Sequence, residues 1–142
     1  MTTANQTGRV EDSYFVLGET LRPMLTNAMG SSIEIFDTTG IPGGGPPPHT
    51  HAWEEIYIVL SGEMDVIVDG RRTRLKQGGY AHVPANTPHG YTTVDETHFL
   101  TIVSRGNASR FFKQVATEVE MDPPDIPGVL RVGAQNGITF MT

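Results

Sequence analysis

From Tyr14 onward the chain is divided into apolar runs of strand length, each closed by glycine, proline or aspartate, down to the run Thr97 to Ser104. Helical spacing is absent until late in the chain, so the pattern restricts the fold to an all-β barrel or sandwich. The clearest unit is a hairpin joining Glu63 to Val68 with Arg71 to Lys76 around Asp69-Gly70. A two-residue turn with both φ angles positive favours that dipeptide. Met64, Val66 and Val68 alternate with Glu63, Asp65 and Ile67, which gives the hairpin one apolar and one mixed face. Arg71, Arg72, Arg74 and Lys76 on the returning strand read as a solvated surface.

Pro42-Gly43-Gly44-Gly45-Pro46-Pro47-Pro48 is expected to be neither helix nor central strand, since proline lacks the donor and glycine the side chain that a ladder uses. The segment reads as a stiff entry into the strand bearing His49 and His51. Later, Asn107 or Ser109 opens a short helix in which Phe111, Phe112, Val115 and Ala116 share a face, and Met121-Asp122-Pro123-Pro124 breaks the chain. A second helical segment is expected from Val129 to Asn136, ending at Gly137, with Ile138 and Phe140 returning to the barrel. The expected organisation is one domain over residues 1–142, with a polar tail at 1–12, a core at 33–104, and short helices and a tail at 107–142.

Cysteine is absent, so any metal must sit on nitrogen and oxygen. A net charge of -6, from 16 acidic and 10 basic residues, disfavours nucleic acid and anionic membranes as partners. Met1 to Asp12 lacks the apolar core of a signal peptide, and no run approaches the roughly 18 apolar residues of a membrane span. A cytoplasmic location is the expectation.

Five histidines are present. His49 and His51 are two apart, so in a strand both leave the same face. Glu55 follows four residues later, and His89 follows the turn Pro84 to Pro88. A lone inward histidine is ordinarily a hydrogen-bonded core residue. Two on one face with a third from another segment point to one divalent transition ion, which imidazole nitrogen and a carboxylate suit. His98, by alternation with Phe99, Thr101 and Val103, should face outward, and Trp53 reads as a rim or core residue.

These residues resemble the two motifs of the cupin family. Gly43, His49, His51, Glu55 and Gly62 match the first, and Gly78, Pro84, Asn86, His89 and Thr93 the second, over a region from about Ile33 to Ser104. Asn86 stands where the family has a turn glycine, and asparagine tolerates positive φ best after glycine. Thr93 replaces a final asparagine. The resemblance implies a double-stranded β-helix, the cupin jelly-roll, with His49, His51, Glu55 and His89 as ligands; Glu54 lacks the motif's six-residue spacing to Gly62. His82 departs from the pattern. Its position in Tyr80 to Pro84 is usually an inward aromatic or aliphatic residue in cupins, so His82 could ligate the metal, displace Glu55 or bridge to it. Glu55 and His82 are thus both candidate bases.

An interior wall of Phe36, Tyr57, Met64, Val66, Tyr91 and Phe99, with Val59 and Val103, would suit a flat, apolar, aromatic or polyketide substrate. Pro-Pro-Pro-His-Thr-His and Glu-Glu-Ile-Tyr-Ile-Val-Leu-Ser-Gly resemble two groups of small cupins. One comprises the aromatic polyketide cyclases of tetracenomycin and resistomycin type; the other, the quercetinase-like dioxygenases. The expected function is polyketide cyclase, with a dioxygenase or a non-catalytic small-molecule-binding cupin as alternatives. Zinc is favoured, with iron, nickel, manganese or cobalt open. An exposed strand edge paired through the tail Met1 to Asp12 would make a homodimer.

Overall fold

The computed structural model describes residues 13–141; the tail expected at Met1 to Asp12, and its pairing with a partner, lie outside them. Strands β1 (Tyr14–Val16), β2 (Glu19–Leu25), β3 (Ile33–Gly40), β10 (Thr97–Ser104), β5 (Glu55–Ser61) and β8 (Tyr80–Val83) form one antiparallel sheet in that spatial order. A second contains β11 (Thr139–Phe140), β4 (His49–Thr50), β9 (His89–Thr93), β6 (Met64–Val68) and β7 (Arg71–Leu75). Strict alternation in β3 and β10 buries Phe36, Thr38, Phe99, Thr101 and Val103 between the layers. Among the described residues no helix is long and apolar enough to cross a membrane.

The hairpin follows the sequence. Asp69 and Gly70 both adopt positive φ, 51° and 81°, and the β7 arginines are exposed, with Arg74 paired to Asp65 and Glu63. The Pro-Gly segment behaves differently from expectation: although it is no regular strand, it runs alongside β9. Gly43 N donates to Thr93 O at 2.7 Å, Thr93 N to Gly44 O at 2.9 Å, and Tyr91 N to Pro46 O at 3.3 Å. Glycine amides supply the donors there, and a proline supplies only a carbonyl, so the missing proline N–H does not interrupt the pairing.

Helix α1 (Ala108–Glu118) and helix α2 (Ile126–Gln135) close one end of the sheets. The second begins three residues before the expected Val129, because Asp125 accepts from Gly128 N at 3.2 Å and Pro127 sits in the first turn, where its missing N–H is no loss. Two clusters make up the core. Val16, Leu21, Phe36, Trp53 and Val103 pack on the helices, and Tyr57, Val59, Met64, Val66, Leu75, Val83, Tyr91 and Phe99 fill the space further along the barrel.

Asn107 makes no side-chain cap for α1. Glu34 of β3, fully buried, supplies one instead: its carboxylate accepts from Ser109 N at 3.1 Å and Ser109 Oγ at 2.7 Å, and from Asn27 N at 2.9 Å. A buried carboxylate at a helix N-terminus also gains from the helix dipole. Replacing Glu34 by alanine strands these donors, and should lower unfolding stability in urea by about 2–4 kcal/mol; a change under about 0.5 kcal/mol would show that the contact is dispensable.

Candidate metal centre

Strand β4 starts the site. His49 points inward from it and lies directly across from His89 of β9, their ring centroids 4.2 Å apart. His51 follows just beyond the strand, and Glu55 opens β5. All four side chains are buried, and one ligand atom from each lies within 4.8 Å of every other. Glu55 Oε1 is 3.1 Å from His51 Nε2 and 3.0 Å from His89 Nε2.

The outer nitrogens fix what the inner ones do. Nδ1 of His49, His51 and His89 bonds to the backbone carbonyls of Pro47, Trp53 and Thr87 at 2.9, 2.9 and 2.8 Å. A carbonyl only accepts, so each Nδ1 is the donor, and each neutral ring turns a bare Nε2 lone pair toward the centre. Bare nitrogens and a carboxylate oxygen at such distances repel unless a positive charge lies among them. Protons on the rings or one metal cation would meet that need, and the donor set of three imidazoles and one carboxylate fits a divalent transition ion. Burial alone would raise the Glu55 pKa; when His51 and His89 carry a proton on Nε2, their hydrogen bonds and charge outweigh it and hold the carboxyl well below its usual range. His49 is lowered to about 4, first by burial and then by the charge of His89, against the opposing pull of Glu55.

Trp53 braces the centre. Its ring stacks on His51 at 4.4 Å and 5°, and Gly106 approaches it so closely that an added Cβ would lie 2.4 Å from the indole. Sequence reasoning left Trp53 as rim or core, without this positioning contact.

The cavity beside the histidines has an empty volume of about 560 Å³ including its open mouth, with enclosed room for only a few water molecules. It is a narrow slot. Tyr57, Tyr91, Trp53, Phe111, Phe112 and Phe140 supply its aromatic surface. Of the expected wall residues, Phe36, Val59, Met64, Val66, Phe99 and Val103 do not line it. They are buried, Phe36 against Phe112 at 5.1 Å, Val103 in the first core cluster, and Val59, Met64, Val66 and Phe99 in the second. Alternation identifies a side chain as inward; it does not say how far along the barrel the open space extends.

The expectation for His82 is overturned. In β8 it pairs with Ile56, so both face outward, while Ala81 and Val83 turn inward. His82 is exposed, 3.5 Å from Glu54 rather than Glu55, and belongs neither to the ligand set nor to the candidate bases. His98 lies on the outer face, 2.7 Å from Asp37. Asn86 has φ of 60°, the positive turn conformation expected there. Thr93 is buried and bonds to Gly44 N at 3.0 Å, tying the Pro-Gly segment to β9.

One residue was missed. Glu19 of β2 is buried at 4% exposure, lines the slot, and accepts from Tyr91 Oη at 2.6 Å. Burial raises its pKa to about 8; the Tyr91 bond opposes this and the charge of Glu55 adds to it. The available signal was its two-residue spacing from Leu21 on the inward face of β2.

Between the ordinary value of 4.5 and about 8, folded Glu19 keeps a proton that the unfolded chain has lost. This contribution to stability therefore falls as pH rises through that window and levels off above it. Urea unfolding of the metal-free protein should show the wild type losing stability relative to Glu19→Gln from pH 5 to 8, and a pH-independent difference would refute the assignment. For the brace, Gly106→Ala should displace Trp53 and weaken zinc retention by about 10- to 100-fold in a chelator competition; retention equal to wild type would show that His51 does not depend on the stack.

Residues 38–103 match the cupin domain family. The chain is 28% identical over 109 residues to quercetin 2,3-dioxygenase of Bacillus subtilis, a match covering 74% of this chain and 32% of that enzyme. The chain thus spans about a third of that relative's length. Among solved structures, KdgF from Halomonas sp. superposes with a TM-score of 0.63 at 20% identity, covering 72% of this chain and 99% of that one. The polyketide cyclase RemF from Streptomyces resistomycificus superposes with a TM-score of 0.59 at 25% identity, covering 69% of this chain and 78% of that one. With both motifs seated on the facing sheets of a jelly-roll, the fold of this chain is that of the cupins, and the match to the cupin domain family falls on residues 38–103 within it.

Proposed function

We propose that the protein is a metal-dependent cyclase of aromatic polyketides, closing rings in a poly-β-keto chain by aldol-type addition and loss of water. The observation that carries this reading is the slot itself. Three histidines and Glu55 stand at its wall, aromatic rings make up much of the rest, and no lysine or arginine is among its lining residues. A narrow aromatic slot suits a flat ketonic chain, and apart from an ion at the histidines it offers no cation to pair with a phosphate or a small acid. The 25% identity to RemF, over 78% of that chain, supports the same reading at the scale of a small cupin.

His49, His51, His89 and Glu55 would hold the ion, and zinc suits the donor set because the chemistry needs no redox change. A bound divalent ion would supply Lewis-acid polarisation of a ketone, making the flanking C–H more acidic. Glu55, ionised beside the cation, would offer its second oxygen as the base for that proton. Phe111, Phe112 and Phe140 on the closing elements exclude water and fold the chain so that selected carbons meet.

A second reading, a dioxygenase cleaving a flavonol or related enol, is favoured by the 28% identity to quercetin dioxygenase. The same nitrogen and oxygen donors accept iron, nickel, manganese or cobalt.

Oxygen separates the two. Zinc-loaded protein added under nitrogen to synthase components that make the poly-β-keto chain should change the pattern of cyclised products, and the His49→Ala/His51→Ala double variant should lose both the ion and the effect. Stoichiometric oxygen uptake with a flavonol, together with no effect on polyketide products, would establish the dioxygenase instead.

A further inference from the structure

The two sheets differ in what they turn outward. On the sheet containing β6, β7 and β9, the outward side chains include Asp65, Arg72, Arg74 and Thr92, as suits a face in water. The other sheet breaks that rule. Its strand β5 reads Glu-Ile-Tyr-Ile-Val-Leu-Ser, apolar at successive positions, and β10 places Leu100 and Ile102 between its buried Phe99, Thr101 and Val103. Strands that are apolar on both faces belong to sheets covered on both faces.

The register gathers these outward residues into two rows. Ile102 stands between Ile35 and Ile56, and in the next row Leu100 stands beside Ile58, which pairs with Tyr80. Tyr80 is 70% exposed, and the others keep part of their surface open. The helices pack elsewhere, α1 on β1 and α2, and α2 on β11.

We propose that this outer face is a two-fold interface with a second copy of the chain, sheet packed on sheet. The contact differs from edge pairing through Met1 to Asp12, and it does not depend on the reaction performed in the slot.

Area, charge and composition favour a second copy as the occupant. Strands β5 and β10 are 7 and 8 residues long. At about 3.4 Å per residue and about 4.8 Å between strands, β3, β10, β5 and β8 together present roughly 450 Å² in projection. Side-chain relief adds to this, bringing it toward the ~800 Å² that each partner contributes to a standard interface. At the rim, Arg22 lies across from Asp37, which also holds His98 at 2.7 Å, and Glu54 lies 3.5 Å from His82. Neither sign dominates, so two such faces meet without an excess of like charge. The tail is a poor cover by comparison, because Met1, Ala4 and Val10 are its only apolar residues up to Asp12. Two copies of one sheet share their hand of twist, and such sheets pack face to face at about −30° with interdigitated side chains.

The test is light scattering by the full chain at micromolar concentration, where the wild type should have twice the mass of one chain. Ile58→Glu places a charge at the centre of the face and should weaken dimerisation at least about 30-fold, with the far-UV circular dichroism of the wild type retained. Ile67→Glu, the matching change on the outward face of the other sheet, should leave the dimer intact. Ile102→Thr keeps a β-branched side chain and should weaken the dimer about tenfold, which supplies the answer if Ile58→Glu does not fold. Because the chain has no cysteine, Ile102→Cys introduces a single thiol. That thiol should resist iodoacetamide in the dimer and react on dilution, whereas the thiol of Thr92→Cys should react throughout. A wild-type monomer overturns the proposal; protection of the Ile102→Cys thiol in that monomer would assign the face to the tail instead. A dimer that survives Ile58→Glu and Ile102→Thr, with the Ile102→Cys thiol reactive, also overturns it and places the contact on another surface.

Discussion

A carboxylate is buried at the heart of this barrel, and much of the surrounding structure serves to make that tolerable. Glu55 is 7% exposed at the start of a core strand. An isolated charge there would cost several kcal/mol or would simply take up a proton. His51 and His89, 3.1 and 3.0 Å away, prevent that once they carry a proton on Nε2 or share a cation with it, and backbone carbonyls at Pro47, Trp53 and Thr87 hold the three histidine rings from behind. Those carbonyls lie in or beside irregular segments, where a chain outside regular sheet pairing can turn an oxygen toward a side chain. The Pro-Gly run is thus part of the centre's support as well as an entry to it.

The ligand cluster was legible in the sequence because it obeys short-range rules. His49 and His51 are two apart in extended chain, and a turn with a positive-φ residue, Asn86, precedes His89. What the sequence could not supply was the facing of a short strand. His82 was read as inward by analogy with the motif, but the register of β8 against β5 pairs it with Ile56 on the outer face and sends Val83 inside. A one-residue difference of register inverts every side chain, and a strand of four residues contains too few apolar positions to settle the question alone.

The buried Glu19–Tyr91 pair was missed for a different reason. Glu19 stands in Glu-Thr-Leu-Arg, which reads as an ordinary edge with a solvated carboxylate. Only β3 on one side and Tyr91 from the opposite sheet show that it is enclosed. Wall residues were confused with core residues likewise. Met64, Val66 and Phe99 share the inward phase of Tyr57 and Tyr91, but they lie in the packed cluster behind the slot. Periodicity in one dimension ranks residues by face; depth along the barrel axis comes from how the helices and β11 close one end.

Trp53 is the single tryptophan of the chain, and it lies flat on a candidate ligand at 4.4 Å. The protein's long-wavelength ultraviolet emission therefore originates almost wholly from one indole in van der Waals contact with the centre. Its light is sensitive to the protonation of His51, since an imidazolium stacked on an excited indole is an efficient acceptor of its electron. An open-shell ion within the cluster would likewise shorten the excited-state lifetime, whereas a closed-shell ion would leave it long. The stack that steadies the ring thus makes the chain its own optical sensor for the electronic character of whatever occupies the site.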